Sequence, residues 1–203
     1  RTMVFKAAEI LEKADNGDTE AQKIFRIITP LIKFRACRDV RKIAGDAMEI
    51  RGGSGYIEEW LDPKILRDAH LGSIWEGTSN IISLDTIRAL KKADNIHVLK
   101  NFLINLVHEK SMKENEKVLL STIDDVFNFV FQEIKDDYEA SSRQITSLLY
   151  YLCSAVFLNA ESYYCASLYH RKKISELIIK YKINENNPLQ RNEIDYKLIN
   201  EYV

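Results

Sequence analysis

The chain has 203 residues, of which 46% are hydrophobic, so it can bury a sizeable core and is too apolar for a disordered segment. Its 29 Lys and Arg residues against 30 Asp and Glu residues give a formal net charge of −1, which excludes a global basic field for nucleic acid or anionic membranes. The three cysteines form no CxxC pair, which favours reduced thiols in an intracellular protein over a disulfide framework.

The first helices are marked by apolar spacing and by their end signals. Apolar residues three or four apart predict a helix over 3–15, and the Asn-Gly pair at 16–17 ends it. Asp18 or Thr19 can cap the next helix. Pro30 is predicted to begin a further helix, because its missing N–H is tolerated in a first turn.

Glycines are expected to shape the following segment. The helix that holds Gly45 runs to Arg51, and Gly52 and Gly53 end it. Gly45 is expected to mark a close approach of another backbone, because glycine inside a helix costs about 1 kcal/mol relative to alanine. Residues 56–66 predict an irregular connection with room for a short helical turn.

The rest of the chain predicts helices alone. From Thr78 onward there is no glycine and one proline, which favours helices joined by polar links over β-hairpins. No strand candidate remains, so the predicted fold class is all-α. The composition becomes slightly acidic and tyrosine-rich beyond residue 93, which predicts a boundary there. The predicted helices lie near 79–92, 96–109, 114–138, 142–170, 173–182 and 190–202.

Five of the seven glycines gather before and around one acid, Glu76. Thr78 or Ser79 can cap the helix that follows, and its free N–H groups favour an anion such as a phosphate. Ile74 and Trp75 are expected to withdraw the carboxylate from water, as a general base working near neutral pH requires. The commoner role for an acid here is to complement the helix dipole, so both readings stay open.

Two other features allow a functional and a structural reading. Gly52, Gly53 and Gly55 can bring backbone N–H groups close to a phosphate, or can simply turn the chain. Residues 23–51 hold eight basic side chains against three acids. Such a run is a phosphate-contacting face for CoA or DNA, or the solvated face of a helix. The basic residues at helical spacing are Arg35, Arg38 and Arg41 or Lys42.

The aromatic and charged residues near Glu76 are given structural roles. Trp60 and Trp75 are expected in the core, with stacking on a cofactor as the alternative. Arg67 and Asp68 are expected to form an ion pair that holds the loop carrying Glu76. The four histidines have no partners at ligand spacing, so no metal site is expected.

The motifs MEIRGGSGY, LRDAHLGSIWEGTSNI and LDTIRAL, in this order, resemble the signature of the acyl-CoA dehydrogenase C-terminal helical domain. The resemblance is closest to the alkylation-response, AidB-like branch. It implies a four-helix-bundle domain, N-terminally incomplete, over 1–92 and a helical C-terminal extension over 93–203. It also implies a longer parent protein, whose upstream domains complete the flavin site, so the fragment alone is expected to be inactive.

The resemblance also implies a reaction and its residues. Family members bind FAD and oxidise an acyl-CoA thioester to the 2,3-enoyl-CoA. Glu76 matches the base that takes the α-proton, and its backbone N–H would help hold the thioester carbonyl. Thr78 matches a residue that contacts FAD beside the base, and Asn80 matches a position near the cofactor. Gly52 and Gly53 match a turn that approaches the FAD of a neighbouring subunit.

Partners and alternatives follow from the same resemblance. The expected partners are an acyl-CoA substrate, further copies in a dimer or tetramer, an electron-transfer flavoprotein and, through the basic face, DNA. One alternative is an AidB-like flavoprotein that mainly binds or protects nucleic acid, and another is a helical oligomerisation module. The expected location is the bacterial cytoplasm or, in a eukaryote, a mitochondrion or peroxisome. No membrane span is expected, because the longest apolar run, 148–158, is too short.

Overall fold

The structure is a computed structural model that describes residues 1–92, 94–110, 113–135 and 138–160. These residues form helices without strands, which confirms the all-α fold class. The predicted helices at 173–182 and 190–202, and the end of the one at 142–170, lie outside the described residues. The helices are α1 (Thr2–Asp15), α2 (Thr19–Ile50), α3 (Gly53–Tyr56), α4 (Asp62–Leu71), α5 (Ser79–Lys91), α6 (Asn95–Lys110), α7 (Lys113–Lys135) and α8 (Tyr138–Ala160).

Helix α2 is the long axis of the fold, with 32 residues and a length of about 48 Å. The carboxylate of Asp18 caps it by accepting N–H bonds from Glu20 and Ala21 at 2.9 and 3.0 Å. The predicted new helix start at Pro30 is wrong, because α2 continues through this residue. A proline inside a helix costs about 3 kcal/mol. Several fully buried side chains on both sides, each worth about 1.5–3 kcal/mol, offset that cost: Ile27, Ile28 and Leu31.

The glycine predictions are partly corrected. Gly52, with a φ of +59°, follows the end of α2 as expected. The close approach predicted at Gly45 is wrong, because a Cβ there would meet nothing within 4 Å. The close approach occurs at Gly55 instead, where a Cβ would lie 2.2 Å from the carbonyl oxygen of Met48. The helical turn allowed within residues 56–66 is the start of a longer helix, because residues 62–66 begin the 10-residue α4 with Pro63 in its first turn.

Helices α4 and α5 run back along α2 in the opposite direction. At one end, Arg51 Nε lies 3.1 Å from Asp62 Oδ2. At the other end, Arg26 makes a bidentate pair with Asp85 at 2.7 and 3.0 Å. The loop between α4 and α5, residues 72–78, therefore crosses the middle of α2. We call it the Glu76 loop.

One apolar cluster joins the helices on both sides of residue 93. It includes Ile87 and Leu90 from α5 together with Leu103, Ile123 and Phe157 from later helices. The hydroxyls of Ser83 in α5 and Ser142 in α8 also meet, at 3.1 Å within this core. The first helices and the extension thus share their core within the described residues. The division into domains 1–92 and 93–203 stays a prediction.

Candidate active site

The Glu76 loop turns sharply just before α5. Glu76 has a φ of +57° and Gly77 a φ of +113°. A positive φ is unfavourable for a residue with a side chain, so surrounding contacts must hold Glu76 in place. A Cβ at Gly77 would lie 3.2 Å from Ile81 Cγ2, so this position favours glycine for both conformation and space.

Lys33 of α2 holds the loop at its turning point. Its Nζ donates a hydrogen bond of 2.7 Å to the carbonyl oxygen of Trp75. The same Nζ lies 3.8 Å from Glu76 Oε2. The Lys33 side chain is only 24% exposed, so the bond to Trp75 is partly shielded from water. Sequence reasoning missed Lys33, since no spacing rule links it to a loop more than 40 residues away.

A second anchor holds the start of the loop one turn further along α2. The hydroxyl of Ser73 donates to the carbonyl oxygen of Cys37 at 3.1 Å. A Cβ at Gly72 would lie 3.3 Å from Cys37 Sγ, so the chain packs closely there. The two anchors together fix the backbone before Glu76 against the middle of α2.

The predicted shielding of Glu76 is wrong for the described residues. The Glu76 side chain is 85% exposed, and Ile74 and Trp75 are 63% and 67% exposed. Trp75 and Trp60 are therefore not core residues, since Trp60 is also 50% exposed. The centre of the Trp60 ring lies 5.1 Å from the guanidinium carbon of Arg51. Exposed apolar side chains beside an exposed carboxylate are typical of a surface that another part of a protein covers.

Thr78 occupies the N-cap position of α5, as predicted, with extended backbone. Its hydroxyl makes no capping hydrogen bond, so the first N–H groups of α5 have no side-chain acceptor. Thr78 and Asn80 are both exposed. The structure therefore brings Glu76, Thr78 and Asn80 together on one accessible edge, where the helix N-terminus favours an anionic or polar ligand.

Gly52 and Gly53 lie elsewhere. They follow the end of α2 at Ile50, whereas the Glu76 loop sits beside Lys33, which is about 26 Å away along the helix. A Cβ at either glycine would meet open space, so the turn is accessible. Within one chain, these glycines and Glu76 belong to two separate surfaces.

The predicted ion pair between Arg67 and Asp68 is replaced by another. Arg67 donates to both carboxylate oxygens of Glu58, at 2.7 and 3.1 Å. These hydrogen bonds lower the pKa of Glu58 and raise the pKa of Arg67. The pair ties the connection before α4 to that helix and does not touch the Glu76 loop.

The described residues contain no group of three or more His, Cys, Asp or Glu side chains that could hold a metal ion. None of the described helices combines the length and apolar character that crossing a membrane requires.

The long helix, the two helices that return along it and the Glu76 loop all lie within residues 1–91. Residues 1–91 match the family model described as "Acyl-CoA dehydrogenase, C-terminal domain". Over this segment, the chain is similar to the C-terminal helical domain of the acyl-CoA dehydrogenase family.

The similarity extends to individual proteins. "Acyl-CoA dehydrogenase family member 11" of Caenorhabditis elegans is 31% identical over 150 residues, which are 72% of this chain and 22% of that protein. "Putative acyl-CoA dehydrogenase AidB" of Escherichia coli is 34% identical over 97 residues, 48% of this chain and 18% of that protein. The chain thus spans about a fifth of these relatives.

A solved structure supports the fold beyond the family segment. The crystal structure of Caenorhabditis elegans ACDH-11 in complex with C11-CoA is similar with a TM-score of 0.71 and 21% sequence identity. The match covers 87% of this chain and 32% of that one. The helical fold of the described part of the extension therefore also has a counterpart in that structure.

Proposed function

We propose that this chain is the C-terminal part of an FAD-dependent acyl-CoA dehydrogenase, with Glu76 as the base that removes the α-proton of an acyl-CoA thioester. The product would be the 2,3-enoyl-CoA. The observation that carries the proposal is the Glu76 loop: an exposed carboxylate is held at a positive φ by a hydrogen bond from Lys33. Strained backbone that neighbouring contacts maintain is typical of functional sites.

The groups of Glu76 suit the two roles that the reaction needs. Its carboxylate has one cationic neighbour, Lys33 at 3.8 Å, and is otherwise free within the described residues to accept a proton. Its backbone N–H donates to no other group among the residues described here. That N–H can therefore hold the thioester carbonyl oxygen while negative charge develops on it.

The described residues also fit a flavin. FAD, when bound, would accept the hydride from the β-carbon. Thr78 and Asn80 offer an uncapped helix start with free polar side chains, and the Gly52–Gly53 turn offers accessible backbone. Because the two places are about 26 Å apart along α2, we assign them to FAD molecules of different active sites. This separation supports the predicted homo-oligomer, and an electron-transfer flavoprotein is the proposed electron acceptor.

The proposal also accounts for the exposure of Glu76. The exposed apolar side chains next to it, Ile74, Trp75 and Ile81, would be covered by the remainder of the protein. That cover would exclude water from the carboxylate and strengthen the hydrogen bonds at the thioester carbonyl. The relatives, of which this chain matches about a fifth, contain enough additional protein for it.

The test is the flavin spectrum of the full-length protein. We expect stoichiometric FAD absorbance, and we expect a panel of straight-chain acyl-CoAs to bleach it anaerobically. A full-length protein that contains no flavin, or whose flavin no acyl-CoA reduces, would contradict the proposed function.

A further inference from the structure

The first turn of α5 carries the proposed FAD contacts, but its N-cap side chain does not hold it. Thr78 makes no capping hydrogen bond, and the backbone just before it is strained at Glu76. A helix start without a capping side chain frays readily, because its first N–H groups have no intrahelical partners. The ion pair of Arg26 with Asp85, further along α5, is exposed and contributes little. An ordered first turn therefore depends on contacts at its buried side.

Ser83 supplies such a contact from inside the core. Ser83 is fully buried, and its Oγ donates a hydrogen bond of 2.8 Å to the carbonyl oxygen of Asn80. This side-chain bond to the backbone spans the first turn of α5. Asn80 is one of the two residues that the proposed function places beside FAD. The Ser83 hydroxyl thus acts directly on the turn that would hold the cofactor.

The Ser83 hydroxyl also meets a hydroxyl of α8. The Oγ atoms of Ser83 and Ser142 are 3.1 Å apart, and Ser142 is buried as well. Ser142 Oγ lies 2.9 Å from the carbonyl oxygen of Glu139. Because each hydroxyl has one proton, two of these three hydrogen bonds form at a time. When Ser142 donates to Ser83 and Ser83 donates to Asn80, a continuous chain of mutually strengthening bonds joins α8 to the first turn of α5.

The start of α8 is a firm support for this chain. Ser141, beside Ser142, donates a hydrogen bond to the carboxylate of Glu133 in α7. The apolar cluster shared with α5 includes several α8 side chains that follow Ser142: Ile145, Leu148 and Leu149. Ser142 lies in the predicted extension and outside the matched segment 1–91. The extension thereby contacts the helix that begins at the candidate site.

We propose that Ser142 is a positioning residue, through which the extension holds the first turn of α5 in the arrangement that binds FAD. This role rests on the proposed function, because it takes Thr78 and Asn80 as FAD contacts. Ser142 reaches that edge only through Ser83 and the Asn80 backbone, so it does not touch the cofactor itself. A turn that is already ordered lowers the entropic cost of binding, which is how the extension would favour FAD.

The test is hydrogen exchange in the full-length protein, with FAD affinity measured beside it. In Ser142→Ala, the amides of residues 82–84, which make the first backbone hydrogen bonds of α5, should exchange about three- to tenfold faster. That factor corresponds to the loss of one hydrogen bond. Kd for FAD, titrated into flavin-free full-length protein, should rise by a similar factor. The amides of α1 should exchange at the wild-type rate, because the loss is local.

Two further variants separate positioning from a general loss of packing. Ser154→Ala removes another buried hydroxyl of α8, which donates to the Tyr150 carbonyl oxygen at 2.8 Å. It is the matched control and should leave both residues 82–84 and the FAD affinity unchanged. The double variant of Ser83→Ala with Ser142→Ala should be no more harmful than Ser83→Ala alone, because each change breaks the same chain.

Unchanged exchange at residues 82–84 in Ser142→Ala would overturn the proposal, and so would faster exchange with an unchanged Kd for FAD. An equal effect of Ser154→Ala, or additive losses in the double variant, would also overturn it. The exchange measurement needs neither flavin nor turnover. A wild-type protein without flavin would therefore contradict the proposed function, while the exchange rates still decide whether Ser142 holds α5.

Discussion

Replacing Lys33 with methionine should weaken catalysis without unfolding the protein. The substitution keeps much of the apolar stem and removes the donor to the Trp75 carbonyl oxygen. A hydrogen bond from a charged donor contributes about 1.5–3 kcal/mol, whereas the contact with the exposed Glu76 carboxylate adds about 0–1 kcal/mol. The positive φ of Glu76 opposes these contacts by about 1–3 kcal/mol, so the loop should relax once they are lost.

The expected effect is on the chemical step. If about 2 kcal/mol of loop stabilisation is lost at the transition state, kcat falls about 30-fold. KM for the acyl-CoA and the melting temperature should change little, because the loop is on the surface. Steady-state kinetics and thermal melts of the full-length protein measure all three.

Two further variants make the Lys33 result interpretable. Lys33→Arg keeps a cationic donor and should recover part of kcat. Lys117→Met removes an exposed lysine of α7 and should leave kcat unchanged. An unchanged kcat in Lys33→Met, with the fold intact, would refute the idea that Lys33 positions the catalytic loop.

The remaining predictions concern stability and reactivity. Gly55→Ala would place a Cβ 2.2 Å from the Met48 carbonyl oxygen and should lower the free energy of unfolding by about 2 kcal/mol. Gly45→Ala lies inside a helix, where a Cβ meets open space, and should raise the free energy of unfolding by about 0.5–1 kcal/mol. Denaturant titration measures both variants, and a Gly55→Ala protein more stable than Gly45→Ala would refute the packing argument. Burial raises the pKa of Cys153 to about 12, so a thiol reagent should not label Cys153 in the native protein at pH 8. Because this pKa is raised from 9.0, Cys153 should also destabilise the fold as pH rises from about 9 to 12, and Cys153→Ala should remove that dependence.

The helices that the sequence predicted well are those whose signals are local. The Asp18 cap and the helices of the glycine-free stretch after Thr78 depend on neighbouring residues only, and as far as residue 160 both match the structure. The prediction at Pro30 does not match the structure. Proline is a local signal for a helix break, whereas the burial of the side chains around it depends on tertiary packing. Gly45 and Gly55 show the same limit, since a close approach depends on where the chain returns.

The residues of the candidate site were also predictable only where their signals are local. The motif around Glu76 and the N-cap position of Thr78 could be read from adjacent residues. Lys33 could not, because the fold brings it to the loop from a distant part of the chain. The shielding expected from Trp75 also failed, because side-chain type does not indicate which surface other parts of a protein cover.

Rapid mixing of full-length Glu76→Gln protein with an acyl-CoA tests most directly whether Glu76 is the α-proton base. Glutamine keeps the size of the side chain and cannot accept the proton, so flavin reduction should slow by several orders of magnitude while acyl-CoA binding persists. Glu59→Gln, an exposed carboxylate before α4, is the matched control and should reduce normally. Flavin reduction at the wild-type rate in Glu76→Gln would contradict the assignment of Glu76 as the base.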